Sequence, residues 1–346
     1  MTPDKDVKNS KKKMRVLVLS EGKPGHFNQS KGVVTALSRY YSVDLDWQDV
    51  KTPNFAMATL SRFRRFLSYT IKPKAGLIKL IAGVEIPEIA PDLIISAGGA
   101  TLPANVLLAN YFNKPNIFCG TIRKVPENAF SGVLVPYKEY QNKYPYIVAL
   151  KPCNIDPEKA ITPRLKPTIL FLLGGGSKTH RYTNEEWDEL LYLIEEEHQK
   201  PSKQRHEIVV CTSRRTPDYV SNALAALSKR LPAMVYKDYR TTGAFNLQEA
   251  LLQASFVVVT EDSNSMITEA VCAQKPLCIL QPKHRQLSKL EESYIENLER
   301  DGRLARIAFG RETTVSNLEE HAQKLQVMSE NHLDILATKI ISQIDL

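Results

Sequence analysis

The chain has 346 residues, 43% of them hydrophobic and 24% charged, with 20 Pro and 15 Gly. That composition excludes disordered, collagen-like and coiled-coil classes, and the length suits two domains of roughly 100–200 residues each. The formal charge of +8 is unevenly spread: residues 1–165 carry 24 Lys and Arg against 13 Asp and Glu, whereas residues 166–346 carry 22 against 25. A basic half joined to a slightly acidic one points to an anionic partner for the first.

No stretch approaches the ~18 consecutive apolar residues of a membrane-spanning helix. The five cysteines, Cys119, Cys153, Cys211, Cys272 and Cys278, are odd in number and lack CxxC spacing. A disulfide framework or a zinc site is not expected, and a reducing cytosol is the natural compartment. Residues 1–13 hold five Lys beside two Asp, with no apolar core and no Arg. They read as a flexible basic tail and not as a secretory or mitochondrial leader.

From Arg15 onward, short apolar runs alternate with helical stretches. Arg15–Leu19 reads as a buried strand, followed by the loop Glu21–His26 and a helix over Gln29–Tyr40. Val43–Trp47 and Asp92–Ser96 are further strands; the loop after the second holds Gly98 and Gly99, and Pro103 suits the first turn of a helix. Asn116–Phe118 and Gly132–Val135 complete the first half. The second half repeats the scheme with strands at Thr168–Leu173, Glu207–Cys211, Phe256–Thr260 and a last short one at Pro276–Leu280. Thr183 and Glu186 form a capping-box pattern, Thr216 can cap a helix opened by Pro217, and Asp262 or Ser263 can cap the helix that follows. His332–Ile344 is amphipathic and is expected to dock back on the body.

Continuous apolar strands alternating with helices imply parallel sheets covered on both faces. Two such units imply two Rossmann-like domains, with the join in Pro152–Pro167, where prolines at 152, 157, 163 and 167 interrupt any regular element. The expected division is a tail over 1–13, an N-terminal domain over 14–160, a C-terminal domain over 161–328 and a returning helix over 329–346. In such sheets ligands bind beyond the carboxyl ends of the strands. The loops 21–26, 97–101, 174–177, 212–216 and 261–264 all fall there, and an interdomain cleft that takes a phosphorylated ligand is expected.

The loop chemistry supports that ligand class. Neither a Walker A motif nor GxGxxG follows any strand, which disfavours a P-loop or a dehydrogenase. Gly174-Gly175-Gly176-Ser177 brings backbone amides close to a ligand. Arg214 and Arg215 lie beside a helix start, where dipole and guanidinium both favour an anion. Ser265 and Glu269 share one helix face, where a carboxylate could hold a ribose diol. Asp44-Leu45-Asp46 lies in an alternating strand and reads as structural, and no His, Cys, Asp or Glu cluster has metal spacing.

Residues 56–84 contain Arg62, Arg64, Arg65, Lys72, Lys74 and Lys79 and no acid, with Phe63 and Phe66 among apolar residues at helical spacing. A basic amphipathic segment with aromatics suits an anionic membrane surface. No nucleic-acid-binding pattern is present, so nucleic acid is not expected as a partner.

The run Ser20-Glu21-Gly22-Lys23-Pro24-Gly25-His26-Phe27-Asn28-Gln29, with the Gly174–Ser177, Thr212–Pro217 and Thr260–Ala270 segments in the same order, resembles the mitochondrial-fission ELM family of glycosyltransferase-like proteins. Glu21 and Thr268 stand where that family usually has Asp and Ser. The N-terminal loop is more distantly similar to that of the peptidoglycan lipid-intermediate N-acetylglucosaminyltransferase. The resemblance implies a GT-B fold: two Rossmann-like domains facing an interdomain cleft. It also implies a nucleotide-sugar donor, a UDP-sugar foremost, held as substrate with no cofactor and no metal. Glu269 would bind the ribose. Gly175, Gly176, Ser177, Arg214, Ser263, Asn264 and Ser265 would face the diphosphate. Gly22, Lys23, Gly25, Gly98 and Gly99 would line the acceptor side, with His26 as general base or phosphate donor. The expected activity is transfer to a membrane-associated glycolipid, such as a lipopolysaccharide or lipo-oligosaccharide core, at the cytoplasmic face of a bacterial inner membrane. The alternatives are a non-catalytic scaffold that recruits a partner at a membrane and a nucleotide-sugar epimerase.

Overall fold

A computed structural model describes residues 11–51, 65–70, 73–201, 205–241, 245–310, 313–344 and 346. The chain divides into two compact units, Met1–Asn154 with His332–Leu346, and Ile155–Asn331.

The first unit contains β1 (Lys13–Ser20), α1 (Pro24–Leu37), β2 (Ser42–Asp49), α2 (Ala75–Ala82), β3 (Leu93–Ala97), α3 (Leu102–Phe112), β4 (Asn116–Cys119), β5 (Gly132–Val135) and β6 (Tyr146–Val148). Its strands form one six-stranded sheet in the order β2-β1-β3-β4-β5-β6, and every pair is parallel. Alternation along β1 explains why the sheet is covered on both faces. Val16 and Val18 pack with Val33 and Leu37 of α1, whereas Leu17 and Leu19 pack with Ile78 and Ile81 of α2 and Leu107 of α3. Edge strand β2 is largely exposed, and Asp44 pairs there with Arg15 at 2.9 Å. The Asp44-Leu45-Asp46 run is thus part of a strand, as expected.

The second unit contains β7 (Thr168–Leu172), β8 (His180–Arg181), α4 (Asn184–Gln199), β9 (Glu207–Cys211), α5 (Asp218–Arg230), β10 (Met234–Lys237), α6 (Leu247–Gln253), β11 (Phe256–Thr260), α7 (Asn264–Cys272), β12 (Leu277–Gln281), β13 (His284–Arg285), α8 (Lys289–Arg300), β14 (Ala305–Ala308) and α9 (Val315–Gln323). Six of its strands form a parallel sheet ordered β10-β9-β7-β11-β12-β14, and β8 pairs with β13 in a separate antiparallel ladder. The capping box at the start of α4 forms as read: Thr183 accepts from the Glu186 amide and Glu186 accepts from the Thr183 amide.

The last helix, α10 (His332–Ile344), belongs to the first unit. It buries Leu333, Leu336, Ala337 and Ile340 against Val33 and Leu37. Burying each large apolar side chain contributes roughly 1.5–3 kcal/mol. Arg39 of the first unit clamps Asp334 through Nε at 2.6 Å.

A buried ion cluster in the second unit makes its stability depend on pH. Glu197, with a fully buried side chain, accepts from His206 Nδ1 at 2.8 Å and pairs with Lys200; His206 Nε2 faces Glu319 Oε1 at 3.5 Å. The bond to Glu197 holds His206 above its ordinary 6.5 against the opposing effect of burial. Burial pushes Glu197 up, but the bonds from His206 and Lys200 outweigh it and hold Glu197 below its ordinary 4.5. The raised His contributes stability that is complete below 6.5 and lost as pH rises through its folded value. The lowered Glu contributes stability that is complete above 4.5 and lost as pH falls through its folded value. The stability gap between wild type and His206→Gln is therefore expected to be wider at pH 5.5 than at pH 8.5 in thermal unfolding. An equal gap at both pH values would contradict the pairing.

Candidate functional site

In a doubly wound sheet, the loops diverge where the strand order reverses, and a crevice opens beyond the strand ends. In the first unit that point lies between β1 and β3. The loop after β1 supplies Glu21, and the loop after β3 supplies Gly98, Gly99 and Ala100. Glu21 has a side chain only 4% exposed, and its Oε1 receives His26 Nδ1 at 2.6 Å and Lys23 Nζ at 2.7 Å. Its Oε2 accepts from the Ala100 amide at 3.0 Å. Burial opposes ionisation of Glu21, but these bonds prevail and hold the carboxyl below its ordinary value. An ionised carboxylate can only accept, so Nδ1 of His26 carries the hydrogen and Nε2 is the basic nitrogen. Nε2 has no hydrogen-bond partner among the described residues, and the side chain is one-third exposed.

Glycine is required for this approach. Gly98 has φ +94°, and a Cβ there would lie 2.4 Å from His26 Nδ1 and 2.6 Å from Glu21 Cδ. A Cβ on Gly99 would lie 2.3 Å from Nη1 of Arg123. Gly22, at φ +74°, turns the chain out of β1. The helix starts earlier than the sequence suggested: Pro24, Gly25 and His26 lie in the first turn of α1, so His26 is held by a helix and not by a free loop. Lys23 is the N-cap residue, without a side-chain cap bond.

Arg123 and Lys124 have φ of 48° and 69°, a left-handed backbone that is costly for residues with a Cβ. Their side chains line a cavity of about 450 Å³ with Arg65, Phe66 and Tyr69. Of the basic segment, Arg62, Phe63, Arg64 and Lys72 lie outside the described residues. Residues 65–70 are helical, with Leu67 packed on the core and Phe66 exposed. Lys74 is the N-cap residue of α2, which buries Ile78 and Ile81 and leaves Leu77 and Leu80 exposed. No helix of the described residues is long and apolar enough to cross a membrane.

The second unit has its reversal between β7 and β11. There Gly174 donates its amide to Thr260 Oγ1 at 2.6 Å. A Cβ on Gly174 would lie 2.2 Å from Asp262 Oδ2, and one on Gly175 would lie 1.9 Å from the Arg215 carbonyl oxygen. These two glycines let three loops pack against one another. Gly176 and Ser177 are exposed, and Gly176 opens on empty space.

The two arginines have separate tasks. Arg215 donates from Nε at 3.0 Å and Nη2 at 2.5 Å to Oδ2 of Asp262, whose side chain is fully buried. Arg214 is exposed and has no hydrogen-bond or ion-pair partner among the described residues. Thr216 does not cap α5, whose N-cap is Pro217 without a side-chain bond. Its hydroxyl lies 2.7 Å from the Gly174 carbonyl and accepts from the Ser213 amide at 2.9 Å, so it ties the two loops. Ser263 is the N-cap residue of α7 but makes no side-chain cap bond, and Asp262 is taken by Arg215. Asn264 and Ser265 are half-buried in the first turn of α7, and Glu269 is 6% exposed one turn further.

One network had no signal in the spacing. Glu261, 1% exposed at its side chain, accepts from Arg285 Nε at 2.6 Å, and His180 Nε2 lies 3.2 Å away. Gln281 Nε2 donates to its other oxygen at 2.7 Å. Burial opposes ionisation of Glu261, but the bonds from His180, Gln281 and Arg285 hold it ionised below its ordinary value. His180 is thus a buried brace beside the glycine loop, whereas His284 is exposed.

The sequence pattern of the mitochondrial fission ELM1 family matches residues 24–330. The chain belongs to that family. An uncharacterized protein of Rickettsia prowazekii (strain Madrid E) is 24% identical, over 90% of this chain and 94% of its own. A protein from Listeria monocytogenes assigned as a UDP-N-acetylglucosamine 2-epimerase has a similar solved structure, with a TM-score of 0.61 at 14% identity over 96% of both chains. The glycotransferase of kitacinnamycin superposes with a TM-score of 0.53 at 12% identity, again over 96% of both chains. At such identities the likeness is one of fold. The two parallel six-stranded units are those of the GT-B fold.

Proposed function

We propose that this protein is a glycosyltransferase that moves a sugar from a nucleoside diphosphate carrier, UDP foremost, to a lipid-linked acceptor at an anionic membrane surface. The observation that carries this reading is the contact between Glu21 Oε1 and His26 Nδ1 at 2.6 Å, which leaves Nε2 free as a base on a side chain one-third exposed. Buried carboxylates also hold His180 and His206, but those imidazoles are buried, whereas the His26 side chain is one-third exposed and keeps Nε2 free.

In a direct displacement, Nε2 of His26 takes the proton of the acceptor hydroxyl as its oxygen attacks the anomeric carbon. The bond from that carbon to the diphosphate oxygen breaks, and the leaving group carries the electron pair away. The exposed backbone at Gly176, the Ser177 hydroxyl, the first turn of α7 and the guanidinium of Arg214 meet the departing charge. Glu269 accepts from the ribose hydroxyls. The cavity beside Arg65, Phe66, Arg123 and Lys124 suits an anionic headgroup with an apolar neighbour. Each Lys or Arg near an anionic bilayer contributes about 1 kcal/mol to its attraction.

The test is release of UDP from UDP-sugars by the purified chain, with and without anionic vesicles that carry extracted glycolipid. The reading expects release that depends on the vesicles and labelled sugar that appears in the lipid. Conversion of the donor to its epimer without acceptor would instead make the protein an epimerase, and no turnover under either condition would overturn the assignment.

A further inference from the structure

Beyond Ser177, the short β8–β13 ladder borders a pocket of about 320 Å³. Lys178, Arg181, Lys283, His284 and Arg285 line it, and no Asp or Glu does. The charge of Arg285 is answered by Glu261 at 2.6 Å and by Glu292 at 2.5 Å. Lys178, Arg181 and Lys283 have no side-chain hydrogen-bond or ion-pair partner among the described residues, and all three are exposed. Of the nearby acids, Glu185 alone interacts with one of the three, Lys283. Glu186 is buried and accepts from the Lys283 backbone amide, and Glu185 is a fully exposed neighbour of Lys283. Like charges gathered around one pocket in excess of their counterions form a field that attracts an anion.

We infer that this pocket receives an oxyanion borne by the sugar end of the donor, so that the transferred sugar is acidic. Given a nucleotide donor on the Gly174–Ser177 loop, as proposed above, Ser177 is shared between that loop and the pocket. The pocket is then the place next to the diphosphate. Lys and Arg supply donors and no acceptors. Hydroxyls of a neutral sugar donate as well as accept, and these side chains leave their hydrogens unmatched. A carboxylate or phosphate offers only acceptor oxygens, and a guanidinium grips it with two donors. Ser177, Thr179 and Gln286 in the same lining can accept from sugar hydroxyls, but a plain hexose leaves the charge of Lys178, Arg181 and Lys283 unanswered, and a uronic acid or a phosphorylated sugar answers it.

Calorimetric titration of the full chain with UDP, UDP-glucose and UDP-glucuronate tests this, in wild type and in Arg181→Gln/Lys283→Gln. Wild type is expected to bind UDP-glucuronate about tenfold more tightly than UDP-glucose. The preference is expected to vanish in the double variant. Equal binding of the two sugar nucleotides by wild type, or a preference that survives in the variant, overturns the assignment. If UDP itself loses as much affinity in the variant as UDP-glucuronate does, the pocket holds the diphosphate and the acidic-sugar assignment also fails. Absence of any UDP binding by wild type sinks the donor reading itself, a result distinct from UDP binding without a sugar preference.

Discussion

Replacing His26 with Ala is expected to lower the transfer rate by about 10²–10⁴-fold, the usual contribution of a positioned general base. Nucleotide affinity should be unchanged, because His26 belongs to the first unit and the proposed donor loops to the second. The side chain is one-third exposed, so the variant should fold. Glu21→Gln is the companion. A neutral amide can present either its oxygen or its NH2 group to Nδ1, so the tautomer is no longer fixed. Glu21→Gln should therefore lower kcat with little effect on the donor KM. Full activity in His26→Ala, with a fold confirmed by thermal unfolding, would remove His26 from the chemistry.

A methyl group on Gly175 is expected to have the second large effect. Its Cβ would stand 1.9 Å from the carbonyl oxygen of Arg215, a backbone atom with little freedom to retreat. Loops 174–177 and 213–216 must then separate, and the Thr216 bond to the Gly174 carbonyl at 2.7 Å is strained with them. Overpacking of this kind costs about 1–3 kcal/mol. At roughly 2–4 °C per kcal/mol, a visible fall in Tm follows. The larger consequence is functional, because Arg214 and Ser177 are carried by the two displaced loops. Gly175→Ala should lose its response to UDP. Gly176→Ala is the control: no atom lies within 4 Å of the added Cβ, so its Tm should match wild type. A Gly175→Ala protein with wild-type Tm and UDP response would show that the three-loop packing does not shape the donor site.

The strands that could be read from the sequence are those buried on both faces. Gly132–Val135, Glu207–Cys211 and Phe256–Thr260 form over the residues expected, because an unbroken apolar run bounded by polar loops has one stable solution in a parallel sheet. Helix α10 was equally legible from its amphipathic period. Strands β6, β10 and β14 were not. They are three or four residues long, lie at or near sheet edges and mix polar with apolar residues, as in Ala305-Arg306-Ile307-Ala308. The start of α1 was hidden because Lys23 is not a capping residue and Gly25 is a poor helix former.

Within the site, the glycine loops announced themselves, but the task of each residue depended on partners remote in sequence. Glu21 gains its role from the Ala100 amide, 79 residues away. Arg215 is held by Asp262, 47 residues away, and Arg214 is left exposed beside it. No local spacing encodes such pairings. The same holds for Arg285, His180 and Glu261, brought together only when β8 pairs with β13.

The most direct test of the donor site is thermal unfolding of the purified chain with UDP, GDP, ADP and CMP, repeated on Glu269→Ala. A ligand at 100 times its Kd adds about 2.7 kcal/mol of stability. The account predicts that one nucleoside diphosphate, UDP foremost, raises the Tm of wild type and that Glu269→Ala does not respond. No rise with any nucleotide, or an equal rise in the variant, would contradict it.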